Sequence, residues 1–196
     1  MTRLAVLSCI ALGCCVHAAS AQERTHPPGI LAPNAPGQGS PTLPRIERDD
    51  FVLTPVADFQ LQARVLARRD YDSGIEAPLS PMDLVLGWGR MSDTTILRQV
   101  EIVQANRWYS FVSPRFSPIS EQEIRTSSAN MHMIAGNDFV LRQLQALQPG
   151  DLIGVSGYLV NAERARDGFR WRTSTTREDS GAGSCEIVFI TSMRAW

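Results

Sequence analysis

The run Phe59-Gln60-Leu61-Gln62-Ala63-Arg64-Val65 alternates apolar and polar side chains, and Ala67 and Arg68 extend the pattern. A side-chain period of two belongs to a β-strand with one buried face, so this segment needs a sheet or barrel around it. Partners are present. Trp108, Tyr109, Phe111 and Val112 make residues 107–112 a strand. Residues 131–134 form a shorter one, and 151–160 with 169–175 read as a hairpin turning at Asp167-Gly168. Residues 186–191 supply the last strand.

Helices should be short. Ser80-Pro81-Met82-Asp83 has the order of a cap, a first-turn proline and an early carboxylate, which predicts a helix over 81–86. Asp93 starts a turn or helix near 94–99, and Ser120-Glu121-Gln122-Glu123 is a capping box. Asn137 caps a helix whose stripe is Phe139, Val140, Leu141, Leu144 and Leu147, stopped by Pro149-Gly150. The expectation is a mainly β domain with short helices over residues 51–196.

The N-terminal quarter has other compositions. Arg3, the apolar stretch 4–16 and Ala19-Ser20-Ala21 have the layout of an export signal cleaved before Gln22. Residues 22–50 hold six of the chain's twelve prolines and read as a disordered tether. The expected place is therefore the bacterial periplasm or the exterior, with anchoring by an uncleaved N-terminus as the alternative. No further membrane span is expected after cleavage.

Cleavage would take Cys9, Cys14 and Cys15 with it and leave Cys185 without an intramolecular partner. Cys185 reads as a small buried hydrophobe at the start of a strand. All nineteen basic side chains are Arg, set against twenty acids, for a net charge of −1. That balance argues against a nucleic-acid track.

The order Leu147, Gly150, Ile153, Val155, Gly157, Leu159 after a helix resembles barrels of the oligonucleotide/oligosaccharide-binding type. The resemblance implies a helix plugging a small barrel, with alternate residues of the next strand facing inward. Three further segments are Leu79-Ser80-Pro81-Met82-Asp83-Leu84 with Gly87-Trp88-Gly89, Ser128-Ala129-Asn130-Met131-His132, and Trp171-Arg172-Thr173-Ser174 leading to Arg177-Glu178-Asp179-Ser180-Gly181. As a set they resemble a family of exported or membrane-anchored bacterial proteins of unknown activity, which implies no substrate.

Candidate chemistry is sparse. His26, His132 and Cys185 have no metal-ligand spacing, and no cofactor motif is found. His132 is the one histidine of the expected domain, so a hydrolase would have to pair it with a serine such as Ser128. No Gly-x-Ser-x-Gly elbow supports that pairing. Arg170, Arg172 and Arg177, interleaved with Phe169 and Trp171, are the better ligand candidates, joined by Trp88 and Asn130. Alternation puts Phe169 and Trp171 on one face, toward a barrel core with Ile153, Val155 and Leu159. The sequence thus favours a binding or assembly module of the cell envelope over an enzyme. Its partner would be an envelope protein or a small anionic or sugar-like ligand; the alternative is a periplasmic hydrolase using His132.

Overall fold

The computed structural model describes residues 24–177 and 185–196. The expected export signal lies outside the described residues, as do the Gly-rich connection 180–183 and Ser184. The ordered chain is built on β3 (Phe51–Asp70), twenty residues long, whose alternating side chains are the ones read above. Around it run β4 (Met82–Gly87), β7 (Ser128–Ala135), β8 (Leu152–Arg164) and β10 (Glu186–Ala195). The order β3-β4-β7-β10-β8 closes on itself, because β8 also pairs with β3 from Arg164 back to Leu152. All pairs are antiparallel except β7–β10. With α3 (Asp138–Ala146) between the third and fourth strands of this ring, the topology is that of an oligonucleotide/oligosaccharide-binding barrel.

Alternation sorts the residues. Phe59, Leu61, Leu84, Leu86, Met131, Met133, Ile153, Val155, Leu159, Val188 and Ile190 fill the barrel, with Leu144 and Leu147 of the α3 end. Gly157 is required where β8 meets β10, since a Cβ there would lie 2.0 Å from the Phe189 carbonyl oxygen. Bulges in β3 between Pro55 and Ala57 and between Val65 and Ala67 let so long a strand coil around the ring. Beyond the first bulge the faces exchange. Phe51, Leu53, Val160 and Ala162 join Ile134, Ile187 and Phe189 in a second apolar layer outside the barrel.

Several expectations need correction. The expected helix over 81–86 is replaced by strand β4 (Met82–Gly87), buried on both faces. A short apolar run is ambiguous by period, and here the neighbours β3 and β7 decide it. The returning strand of the hairpin is only β9 (Phe169–Trp171), and residues 172–175 leave the sheet. Phe169 and Trp171 do share a face, but they pack on the outer layer rather than in the barrel with Ile153 and Val155. Phe139 is exposed, so the stripe of α3 narrows to Val140, Leu144 and Leu147 with half-buried Leu141 packed beside them.

The described part of the expected tether, residues 24–50, is extended, as its prolines require, yet lies along the barrel. Two short strands, β1 (Gly37–Gly39) and β2 (Ile46–Arg48), pair with β3 at Asp58–Gln60 and Phe51–Leu53. Those β3 residues already pair with β8 on their other edge, so β1 and β2 cover the length that six-residue β4 does not reach. Upstream, Ala32 is buried and Gly29, Leu31 and Ala32 donate to Asp93 and Ser92. Backbone donors satisfied by the barrel offset an ordering cost that composition alone makes prohibitive.

Between β4 and β7 the chain inserts a 3-10 turn (Gly89–Ser92), α1 (Thr94–Leu97), a hairpin of β5 (Glu101–Ala105) and β6 (Trp108–Val112), and α2 (Glu121–Thr126). Asp93, Ser120 and Asn137 cap α1, α2 and α3 through their side-chain oxygens. Met91, Ile96, Val100, Ile119 and Ile124 form the insertion's own small core. The insertion carries the hairpin out over the outer face of β4 and β7.

Candidate functional site

Strands β4 and β7 turn Asp83, Asn130 and His132 outward, opposite the Leu84, Met131 and Met133 that fill the barrel. Register places Asp83 directly across from His132. All three are at most 3% exposed, which three polar groups on an outer surface can be only beneath a cover. The β5–β6 hairpin provides it.

Its two-residue turn, Asn106-Arg107, has φ of 51° and 64°. Left-handed backbone at both central positions is the type I′ turn, usual for Asn-Gly but strained for arginine. The side chain of Arg107 holds the strain in place. Its Nη1 donates to Asp83 Oδ1 at 2.9 Å, its guanidinium lies 4.0 Å from the centre of the Tyr71 ring, and its backbone N–H donates to the Tyr71 hydroxyl at 2.8 Å. His132 Nδ1 donates to the same Asp83 Oδ1 at 2.9 Å. Asn130 Nδ2 donates to the Arg107 carbonyl at 3.0 Å, and Gln104 Nε2 donates to Asn130 Oδ1 at 2.8 Å.

Asp83 thus accepts from a guanidinium and an imidazole, so the imidazole proton sits on Nδ1. Nε2 has no hydrogen-bond partner among the described residues. His132 borders a cavity of about 230 Å³ whose other walls include Trp171, Trp108, Arg107, Arg172, Glu76 and Cys185. The Trp171 ring stacks at 45° on His132, centroids 4.5 Å apart. Arg107 Nη2 is buried beside this cavity with no partner among the described residues. An unpartnered buried donor costs about 1–3 kcal/mol, so Arg107 Nη2 is functionally suggestive.

A second groove, about 430 Å³, runs along β6 and shares Cys185 with the first; Tyr109, Arg125, Asn130 and Arg177 line it. Burial raises the Tyr109 phenol above its usual range, while its hydrogen bond with Ser128 and the nearby Arg125 pull the other way.

The expected residues separate. His132 and Arg172 come together at the cavity, while Asn130 lines the second groove and is tied to the first through Asp83 and the Arg107 carbonyl. Ser128 does not: it lies four residues along β7, roughly 13 Å away at strand rise, donating to the Ile124 carbonyl. Ser128 is therefore out of reach of His132. Trp88 is buried in the barrel end, its indole facing Arg177, which is paired with buried Glu186. Arg170 points to solvent beside Glu163.

Sequence reasoning missed Asp83, Arg107, Tyr71 and the place of Cys185. Asp83 had a usable signal, a carboxylate inside an apolar run, which marks a buried partnered group once the run is read as a strand. Among the described residues no group of three His, Cys, Asp or Glu side chains could hold a metal ion, and no helix is long and apolar enough to cross a membrane. The chain matches no family model, no curated protein and no solved structure.

Proposed function

We propose that this protein is an exported binding module of the bacterial cell envelope, and that its ligand is a small anionic or sugar-like molecule seated on Trp171 over His132. The carrying observation is a buried histidine, oriented by Asp83 and with Nε2 left bare, that lines a 230 Å³ cavity. Cavities of that kind bind by a few fixed polar groups against an aromatic wall. Trp171 and Trp108 supply the wall, Arg107 and Arg172 the positive charge, and Glu76 is the single acid among the lining residues. The place agrees with the fold. In barrels of this topology the outer face of the second and third strands, framed by the loops after the first and fourth, takes the ligand. Here those loops bring Tyr71 and Glu76 on one side and Trp171 and Arg172 on the other.

Tryptophan fluorescence tests the reading. Uronic acids and small dicarboxylates should quench the wild-type protein, and neutral sugars should quench it less. Trp171→Ala should lose the response while keeping most of its stability, since a half-buried ring on the outer layer is worth about 1–2 kcal/mol rather than a full core aromatic. A wild-type response that persists unchanged in Trp171→Ala would place the ligand elsewhere. Export is tested by the intact mass of protein taken from the envelope, which should begin at Gln22; a full-length mass would refute cleavage.

A further inference from the structure

We propose that Cys185 is a nucleophile toward an activated acyl group on the molecule held in this cavity, with His132 as its base and Asp83 as the group that positions the base. The inference rests on the cavity being the ligand site, and adds covalent capture to binding.

The parallel register of β7 and β10 sets Glu186 beside Met131 and Ile187 beside His132. Met131 faces the barrel and Ile187 the outer layer. Cys185, two residues before Ile187, falls on the outer face, level with Asn130 and one strand across from His132. Its Sγ lies 3.8 Å from the Arg107 carbonyl, the same oxygen that accepts from Asn130. Thiol and imidazole line one small cavity, and Cys185 is the single cysteine after residue 15. His132 is 3% exposed, its Nδ1 fixed by Asp83 and its Nε2 able to take a proton. That is a nucleophile, a base and an orienting carboxylate, with Arg107 as the cation facing the developing oxyanion. Among the described residues the other charged or titratable groups around the thiol are Glu76 and Arg172 in the cavity, and Tyr109, Glu121, Arg125, Arg177 and Glu186 along the groove.

In the first step Sγ attacks the carbonyl carbon of an ester as its proton passes to His132 Nε2. The C–O bond to the leaving group breaks, the departing oxygen takes that proton, and the acyl group remains as a thioester on Cys185. Water then adds to the thioester, losing its proton to His132. The C–S bond breaks, a carboxylic acid leaves and the thiol is restored. No oxidant or reductant enters.

The probe is p-nitrophenyl acetate, with the mature chain followed by nitrophenolate release and by mapping of the acetyl group. One acetyl should appear on Cys185, and Cys185→Ala should abolish it. His132→Gln should slow acetylation about a hundredfold near neutral pH and much less at alkaline pH, where the thiol ionises unaided. Asp83→Asn should move the pH profile toward alkali. An acetyl on another residue, or a His132→Gln rate equal to wild type at every pH, overturns the proposal. Should His132→Gln fail to fold, the pH dependence of wild-type alkylation by iodoacetamide decides instead. A midpoint at the ordinary thiol value of about 8.5 overturns the pairing, and a lower one supports it. Quenching of Cys185→Ala by uronic acids separates the two readings. Persistence of quenching without acetylation in wild type defeats the nucleophile alone; loss of both defeats the cavity as ligand site.

Discussion

Asp83 has no exposed surface, and three side chains depend on its two oxygens: Arg107 and His132 on Oδ1, and Asn130, more loosely at 3.4 Å, on Oδ2. Removing one member of such a network strands the others away from water. Asp83→Ala should therefore cost about 3–5 kcal/mol in chemical denaturation, because it leaves the Arg107 charge buried and unpaired. Arg107 would then lack the contact that holds its left-handed backbone, so most of the loss should already be present in Arg107→Ala. The double variant should cost little more than either single one; additive costs would mean that the two residues act apart. His132 was legible in the sequence by its rarity. Arg107 was not, because one arginine among nineteen carries no mark until the turn that strains it is seen.

The hairpin β5–β6 is an element whose inner face is partly polar, with Gln104 and Tyr109 beside Ile102 and Phe111. Its grip on the barrel near the turn is made of hydrogen bonds, among them that of the Tyr109 hydroxyl to the Ser128 carbonyl at 3.2 Å. Burial raises the Tyr109 pKa above the ordinary tyrosine value of about 10. A folded-state value above the unfolded one means that Tyr109 favours the closed hairpin fully below about pH 10, and that this contribution fades as pH rises through the folded value. An alkaline loosening step, read by hydrogen exchange of 101–112, should be present in wild type and absent in Tyr109→Phe. Elements with a local signature were readable: the caps Asp93, Ser120 and Asn137, and the alternation of β3. Those set by neighbours were not. β4 is a strand because β3 and β7 flank it, and β5, a partner of β6, has no alternation that singles it out.

Across the whole molecule, residues 24–32 act as a strap. Arg24 donates its backbone N–H to the Pro149 carbonyl at 3.1 Å and pairs with buried Asp151 at 2.7 Å. His26 Nε2 meets the Gly150 carbonyl at 2.8 Å. Gly150, at φ 96°, permits this approach, since a Cβ would sit 2.0 Å from the Arg24 carbonyl oxygen. Gly150→Ala should therefore free the strap and expose Arg24 to trypsin at concentrations that leave wild type intact, with a stability loss of about 1–3 kcal/mol. Unchanged cleavage would show that the strap holds without this corner. The ring has a different bearing on how the chain comes to be. β10 is inserted between β7 and β8, so a segment made after both of these strands is the one that joins them. Until Glu186 and its successors arrive, β7 and β8 each keep an open edge and the Val188 and Ile190 share of the interior is missing. The closed ring cannot be completed from the N-terminal side alone in such a chain, because two of its pairings wait for β10. The ring therefore closes only after β10 has been made, and its five strands complete one another's edges in that one event.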